Sequence, residues 1–170
     1  MHYMMSVSGK RFFLIKKRKG THEKKSGNAP LIREKVEPGT VYSNEFVKIS
    51  FDSASRVLFQ EWSGFCPGDE FKAAIDAVFN YMTGNSIYKT VCDVRYQRVV
   101  PPSCQKYVEE KVLNFIKTYG AFYSAFVVLE KSAGGICARL YDFKITQKLN
   151  YRINNFFNSV DEAESWLSEK

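Results

Sequence analysis

Histidine is almost missing from this 170-residue chain: the two it has, His2 and His22, fall within the first 22 residues. Beyond them neither a Cys-His pair nor a Ser-His-Asp triad has its general base, which removes most hydrolase chemistry. The four cysteines, Cys66, Cys92, Cys104 and Cys137, show no CxxC spacing, a pattern that argues against a metal site of the Cys/His kind. Cys92 and Cys137 sit in or beside apolar runs, where a thiol serves as a small hydrophobe that a cytosol keeps reduced. No motif implies a cofactor. A long apolar stretch is missing as well. Phe12-Phe13-Leu14-Ile15 is too short for a signal-peptide core of roughly 7–15 residues or a membrane span of about 20, so the expected location is cytoplasmic.

Excess charge is missing from most of the chain. The formal net charge is +7, but residues 1–40 carry ten Lys or Arg against three acids, whereas residues 41–170 carry fifteen of each sign. A balanced folded part argues against nucleic acid as its partner, because phosphate tracking needs a basic surface. The basic segment itself, Lys10, Arg11, Lys16, Lys17, Arg18 and Lys19 around four apolar residues, is suited to weak contact with an anionic membrane or a polyanion, or to a solvated extension.

What is present is enough apolar material for one core: 45% hydrophobic residues, with 14 Phe, 10 Tyr and 2 Trp. Residues 20–40, ending Glu37-Pro38-Gly39-Thr40, read as a linker, so the expected organisation is a flexible tail over 1–40 and one domain over 41–170. Val47, Ile49 and Phe51 alternate with polar residues as in a half-buried strand. A turn cluster, Asp52-Ser53-Ala54-Ser55, leads to a second strand over Arg56–Trp62. Phe71, Ile75, Val78, Phe79 and Met82 recur at helical spacing, with Gly84 as the stop. Ile87–Asp93 reads as a strand. Val108, Val112, Phe115, Ile116 and Tyr119 mark a second helix ended by Gly120. Ala125–Leu129 is a buried strand, and a third helix over about 133–147 has Ile136, Leu140 and Phe143 as its apolar stripe, with Gly134-Gly135 weakening its first turn. Tyr151–Phe157 is a strand, and Ser159-Val160-Asp161-Glu162 is a capping box opening a last helix that buries Ala163, Trp166 and Leu167. The order ββαβαβαβα implies an α/β fold: a single, mostly parallel sheet of four to five strands with an N-terminal edge hairpin.

That order, with Gln60-Glu61-Trp62, the strand Val91-Cys92-Asp93-Val94-Arg95 and the closing segment Phe156–Leu167, resembles the SpoIIAA-like (STAS-like) family over about residues 41–168. The resemblance implies a small sheet with helices on one side, related in shape to CRAL-TRIO lipid carriers, in a family of mainly regulatory or interaction modules. In anti-sigma-factor antagonists of the broader STAS group, a D-S-S-G motif opens the helix after the third strand, and its second serine is a phosphate switch. Ser103 falls at that serine, but Pro101, Pro102 and Cys104 replace the other three residues.

The candidate regulatory or anion-contact loop is therefore Asp93, Arg95, Arg98 and Ser103. Ser103 reads as the N-cap of the second helix or as a phosphorylation site at a helix N-terminus. Asp93 reads as a structural carboxylate at a strand end or as a catalytic one. Arg95 and Arg98 are placed to pair with it, with Asp69 and Glu70, or with an anion at the carboxyl edge of the sheet. The expected function is a non-enzymatic module that binds a protein partner or itself; the alternative is a carrier of a lipid or other small apolar ligand.

Overall fold

The computed structural model describes residues 39–170. The basic segment around Lys10–Lys19 and nearly all of the expected linker lie outside the described residues. Six strands form one mixed sheet in chain order: β1 (Gly39–Ser43), β2 (Val47–Asp52), β3 (Val57–Gly64), β4 (Lys89–Gln97), β5 (Tyr123–Val127) and β6 (Asn154–Phe157). The first three form an antiparallel meander, and β3 to β6 run parallel. Helices α1 (Gly68–Asn85), α2 (Pro102–Tyr119) and α3 (Ala133–Leu149) make the parallel crossovers, and α4 (Val160–Ser168) closes the chain.

The expected edge hairpin is thus a three-stranded meander, the order is βββαβαβαβα, and the sheet has six strands in place of four to five and is mixed rather than mostly parallel. The additional strand begins at Gly39, inside the stretch read as linker: turn formers at Glu37–Gly39 mask the β-forming Thr40-Val41-Tyr42. Its connection to β2 is closed by Asn44, whose Oδ1 accepts from the N–H groups of Phe46 and Val47, both at 2.9 Å. The next turn follows the sequence closely, since the Asp52 carboxylate accepts from Ala54 N–H at 2.9 Å and from the Ser55 hydroxyl at 2.7 Å.

Both faces of the sheet are covered. Leu58, Cys92, Val94 and Phe126 face α1, α2 and α3, whereas Val57, Val91, Ala125 and Val127 point the other way, onto Ala163 and Leu167 of α4. Strand residues alternate sides, so α4 stands alone on the face opposite the three crossover helices. The one-sided helix layer implied by the family resemblance is corrected accordingly.

Four element boundaries move for local reasons. The helix α1 passes through Gly84 and stops where Ser86 takes a left-handed conformation (φ 51°), its N–H returning to Met82 O. Strand β4 starts at Lys89 and continues past Asp93 to Gln97. Strand β6 begins only at Asn154, because Asn150 is spent as the left-handed cap of α3 and Tyr151 and Arg152 are exposed. Ser103 is not the N-cap of α2: Pro101 occupies that position without a side-chain cap, and Pro102 opens the helix, its fixed φ and missing N–H being suited to a first turn. At α4 Ser159 caps as expected, its Oγ accepting from Glu162 N–H at 3.3 Å, while the Glu162 carboxylate accepts from Asn158 N–H at 3.2 Å, one residue before the N-cap.

The orientation of α3 is the largest departure. Its expected stripe is outside: Ile136, Leu140 and Phe143 are 56%, 52% and 61% exposed. Gly134, Gly135, Ala138, Tyr141 and Ile145 face the sheet instead. Both sets recur at helical spacing, so periodicity cannot choose between them. Close approach does. A Cβ on Gly134 would stand 2.3 Å from the carbonyl oxygen of Val94, so only the glycine side lets α3 lie down on β4.

Candidate functional site

The polar residues singled out in the β4–α2 region do not converge. Asp93 and Arg95 are two residues apart in β4 and share a face, and they satisfy each other. Arg95 Nε and Nη2 donate to the Asp93 carboxylate at 3.0 and 2.6 Å, while Arg95 N–H donates to Oδ1 at 3.1 Å. This fork leaves the carboxylate engaged on both oxygens and in the middle of a strand, where a proton-transfer role has no room. The pair also lies on the α4 side of the sheet, with Glu61 opposite Asp93 in register on β3. Arg98 is exposed and pairs with no carboxylate among the described residues; its backbone N–H ties the loop to Gly64 O at 2.8 Å. Ser103 is exposed in the first turn of α2, and its hydroxyl makes no hydrogen bond among the described residues.

Beneath the three crossover helices runs a buried polar chain that sequence reading passed over. Trp62 Nε1 donates to Gln60 Oε1 at 3.3 Å, Gln60 Nε2 donates to the Thr90 hydroxyl, and that hydroxyl donates to Leu58 O, the last two both at 2.8 Å. Gln60 alternates with Leu58 and Trp62, so a strict period of two already placed its amide in the core. Next to this chain is a cavity of about 90 Å³, lined by Trp62, Phe79, Val112, Ser124, Phe126 and Tyr141 among others. Burial pushes the Cys92 thiol up to about 11, against the hydrogen bonds from Ser124 and Thr90, so it is no nucleophile at neutral pH. Burial likewise raises the Tyr141 phenol well above its usual value. Among the described residues no group of three or more His, Cys, Asp or Glu is placed to hold a metal ion, and no helix is long and apolar enough to cross a membrane.

A second unforeseen cluster joins α1 to α2. The Tyr107 hydroxyl donates to Asp76 Oδ1 at 2.6 Å, and Lys111 Nζ lies 2.5 Å from the same oxygen. Burial alone would raise the Asp76 carboxyl, but the hydrogen bonds from Lys111 and Tyr107 outweigh it and hold its pKa below the ordinary 3.8. A carboxylate with a depressed folded pKa stabilises above the unfolded value and loses that contribution as pH falls through the folded one. The Tm difference between wild type and Asp76→Asn is therefore expected to persist at pH 5–7 and to close below about pH 3.8, as read by thermal scans across pH. Both charges are more than a third exposed, so the difference should stay under about 1 kcal/mol.

The outward face of α3 is where surface and sequence disagree most sharply with an ordinary solvated helix. Ile136, Leu140 and Phe143 form a ridge at i, i+4 and i+7. Along it lie Arg139, whose guanidinium caps the Phe156 ring at 4.5 Å, and Lys144, which has no ion-pair partner among the described residues. The single acid of α3, Asp142, is buried and accepts from Asn154 Nδ2 at 3.0 Å. One recess, of about 440 Å³, separates α3 from α2 and is lined by Pro102, Lys106, Glu109, Lys144, Gln147 and Lys148. Its floor is tied by the ion pair of Lys148 with the buried Glu109. A second, of about 370 Å³, lies beside Phe143, Thr146 and Arg152. Compared with protein-family models, curated proteins and solved structures, the chain has no match.

Proposed function

We propose that this chain is a cytosolic, non-enzymatic regulatory or interaction module of the STAS-like type, acting by binding a protein partner or a second copy of itself. The observation that carries this reading is the α3 ridge: three large apolar side chains, each more than half exposed, in line on one helix face of an otherwise well-packed domain. A soluble surface leaves such side chains scattered singly; in line and beside recesses they mark a contact surface. The engaged Asp93–Arg95 fork and the raised thiol of Cys92 support the same reading, because neither offers a poised acid, base or nucleophile. The test is in-cell cross-linking of the full chain followed by reconstitution with each purified protein it captures. A defined binary or homo-oligomeric complex is expected. A chain that captures nothing reproducible and stays monomeric at high concentration sinks the reading.

The alternative, a carrier of a small apolar ligand, draws on the cavity under the helices. Its volume of about 90 Å³ is far below the roughly 300–1,000 Å³ of ligand pockets, so a lipid would require the helices to part. Native mass spectrometry decides here: a co-purifying apolar mass supports the carrier, and a clean apo mass removes it.

A further inference from the structure

We propose that the outward face of α3 receives an acidic amphipathic helix of a partner protein, which packs along the ridge with its carboxylates over the α2–α3 recess. This rests on the interaction-module reading and adds the place and the partner's chemistry. The anchors Ile136, Leu140 and Phe143 have the i, i+4, i+7 spacing by which helices engage each other, and the recesses on either side supply grooves for a facing helix's ridges.

Charge names the partner. On α3 the exposed charges are Arg139, Lys144 and Lys148, all positive; Lys148 is already paired with Glu109, so among the described residues Arg139 and Lys144 carry the positive charge without an ion-pair partner, and the one acid of the helix is buried. Across the recess Lys106 is paired with the exposed Glu110 at 3.8 Å and adds no net charge, whereas Arg152 stands beside Phe143. An isologous α3-to-α3 dimer would set these cations against their own copies with no exposed carboxylate on the helix to relieve them, which opposes self-association through this face. An anionic bilayer would accept the cations. It is flat, however, and would leave the two recesses unfilled, and the 41–170 segment with fifteen charges of each sign is not steered toward it. A helix bearing apolar residues bordered by Asp or Glu matches both relief and charge.

The experiment uses the full chain and three probes. These are a synthetic helical peptide with leucines at i, i+3, i+4 and i+7 bordered by glutamates, the same peptide with lysines for glutamates, and vesicles of phosphatidylserine and phosphatidylcholine. The glutamate peptide is expected to bind at least about tenfold more tightly than the lysine peptide, to weaken as salt rises, and to lose about tenfold or more in Leu140→Asp and, separately, in Lys144→Glu. Both positions are exposed, and circular dichroism checks that both variants fold. Equal affinity for the two peptides, or an unchanged affinity in Leu140→Asp, overturns the proposal. Vesicle binding abolished by Leu140→Asp without peptide discrimination overturns it in favour of a bilayer, and a dimer dissociated by the same change overturns it in favour of a second copy. Captured protein partners that persist in Leu140→Asp would leave the interaction-module reading standing while this surface falls; a wild-type chain with no partner at all would take the module reading down first.

Discussion

Gly134→Ala is expected to destabilise the domain by about 3 kcal/mol or more, although alanine is the better helix former by roughly 1 kcal/mol. The added methyl would sit 2.3 Å from the Val94 carbonyl oxygen and 3.1 Å from Gln97 Cβ and its carbonyl, and the closest of these atoms is backbone that cannot swing aside. Either α3 lifts from the sheet, loosening the contacts of Ala138, Tyr141 and Ile145, or β4 bends. Gly84 supplies the control. It too lies within a helix, but a Cβ there meets nothing within 4 Å, so Gly84→Ala should stabilise by roughly 0.5–1 kcal/mol. Urea unfolding of the two variants measures both signs. Equal effects at the two glycines would mean that close approach at Gly134 is not what seats α3.

The second large effect is expected at Leu167. It is fully buried, as is Ala163, and together they cover Val57, Val91, Ala125 and Val127 on the face that no other described helix reaches. Leu167→Ala should cost about 3 kcal/mol, the transfer free energy of the lost methyl groups plus a cavity that rigid strands cannot collapse to fill. That is a large fraction of the roughly 5–15 kcal/mol that holds a domain together. Ser168→Ala, one residue on and exposed, should change stability by less than about 0.5 kcal/mol. If denaturant midpoints show the two variants alike, α4 is not docked as described.

Where one face of an element is apolar and the other polar, the sequence is legible. Strand β2, the buried faces of helices α1 and α2 and the capped start of α4 follow from spacing and turn residues, because a wrong rotation would bury charge. Helix α3 offers two apolar faces, and the choice between them depends on how near the backbone must come to Val94, a tertiary quantity with no local trace beyond the Gly-Gly pair itself. The β-branched and aromatic run that marks strand β4 in the sequence ends at Asp93. The structure carries the strand on to Gln97, since Asp93 and Arg95 neutralise each other on one face while Val94 is buried on the other. The pairing of Arg95 with Asp93 is thus one of the options the sequence offers, but the choice among Asp93, Asp69, Glu70 and a free anion is not legible there: it depends on Asp93 and Arg95 standing on one face of a strand that runs past both. The spacing of Ile136, Leu140 and Phe143 shows an apolar stripe but not which way it faces, and in the fold it faces outward.

The strictly sequential strand order has a kinetic consequence. Each strand from β2 onward pairs with the one made just before it, in rows such as Leu58 to Thr90, Thr90 to Ser124 and Ser124 to Asn154. No strand has to be held open for insertion of a later one, so the sheet can grow from one edge as the chain leaves the ribosome, each crossover helix sealing the hairpin or βαβ unit before it. Of the described elements the last to arrive is α4, and until it does no other described helix covers the face of Val57, Val91, Ala125 and Val127. A chain lacking the residues from Val160 onward would have all six strands but one uncovered apolar face, which exposes it to aggregation and to capture by chaperones.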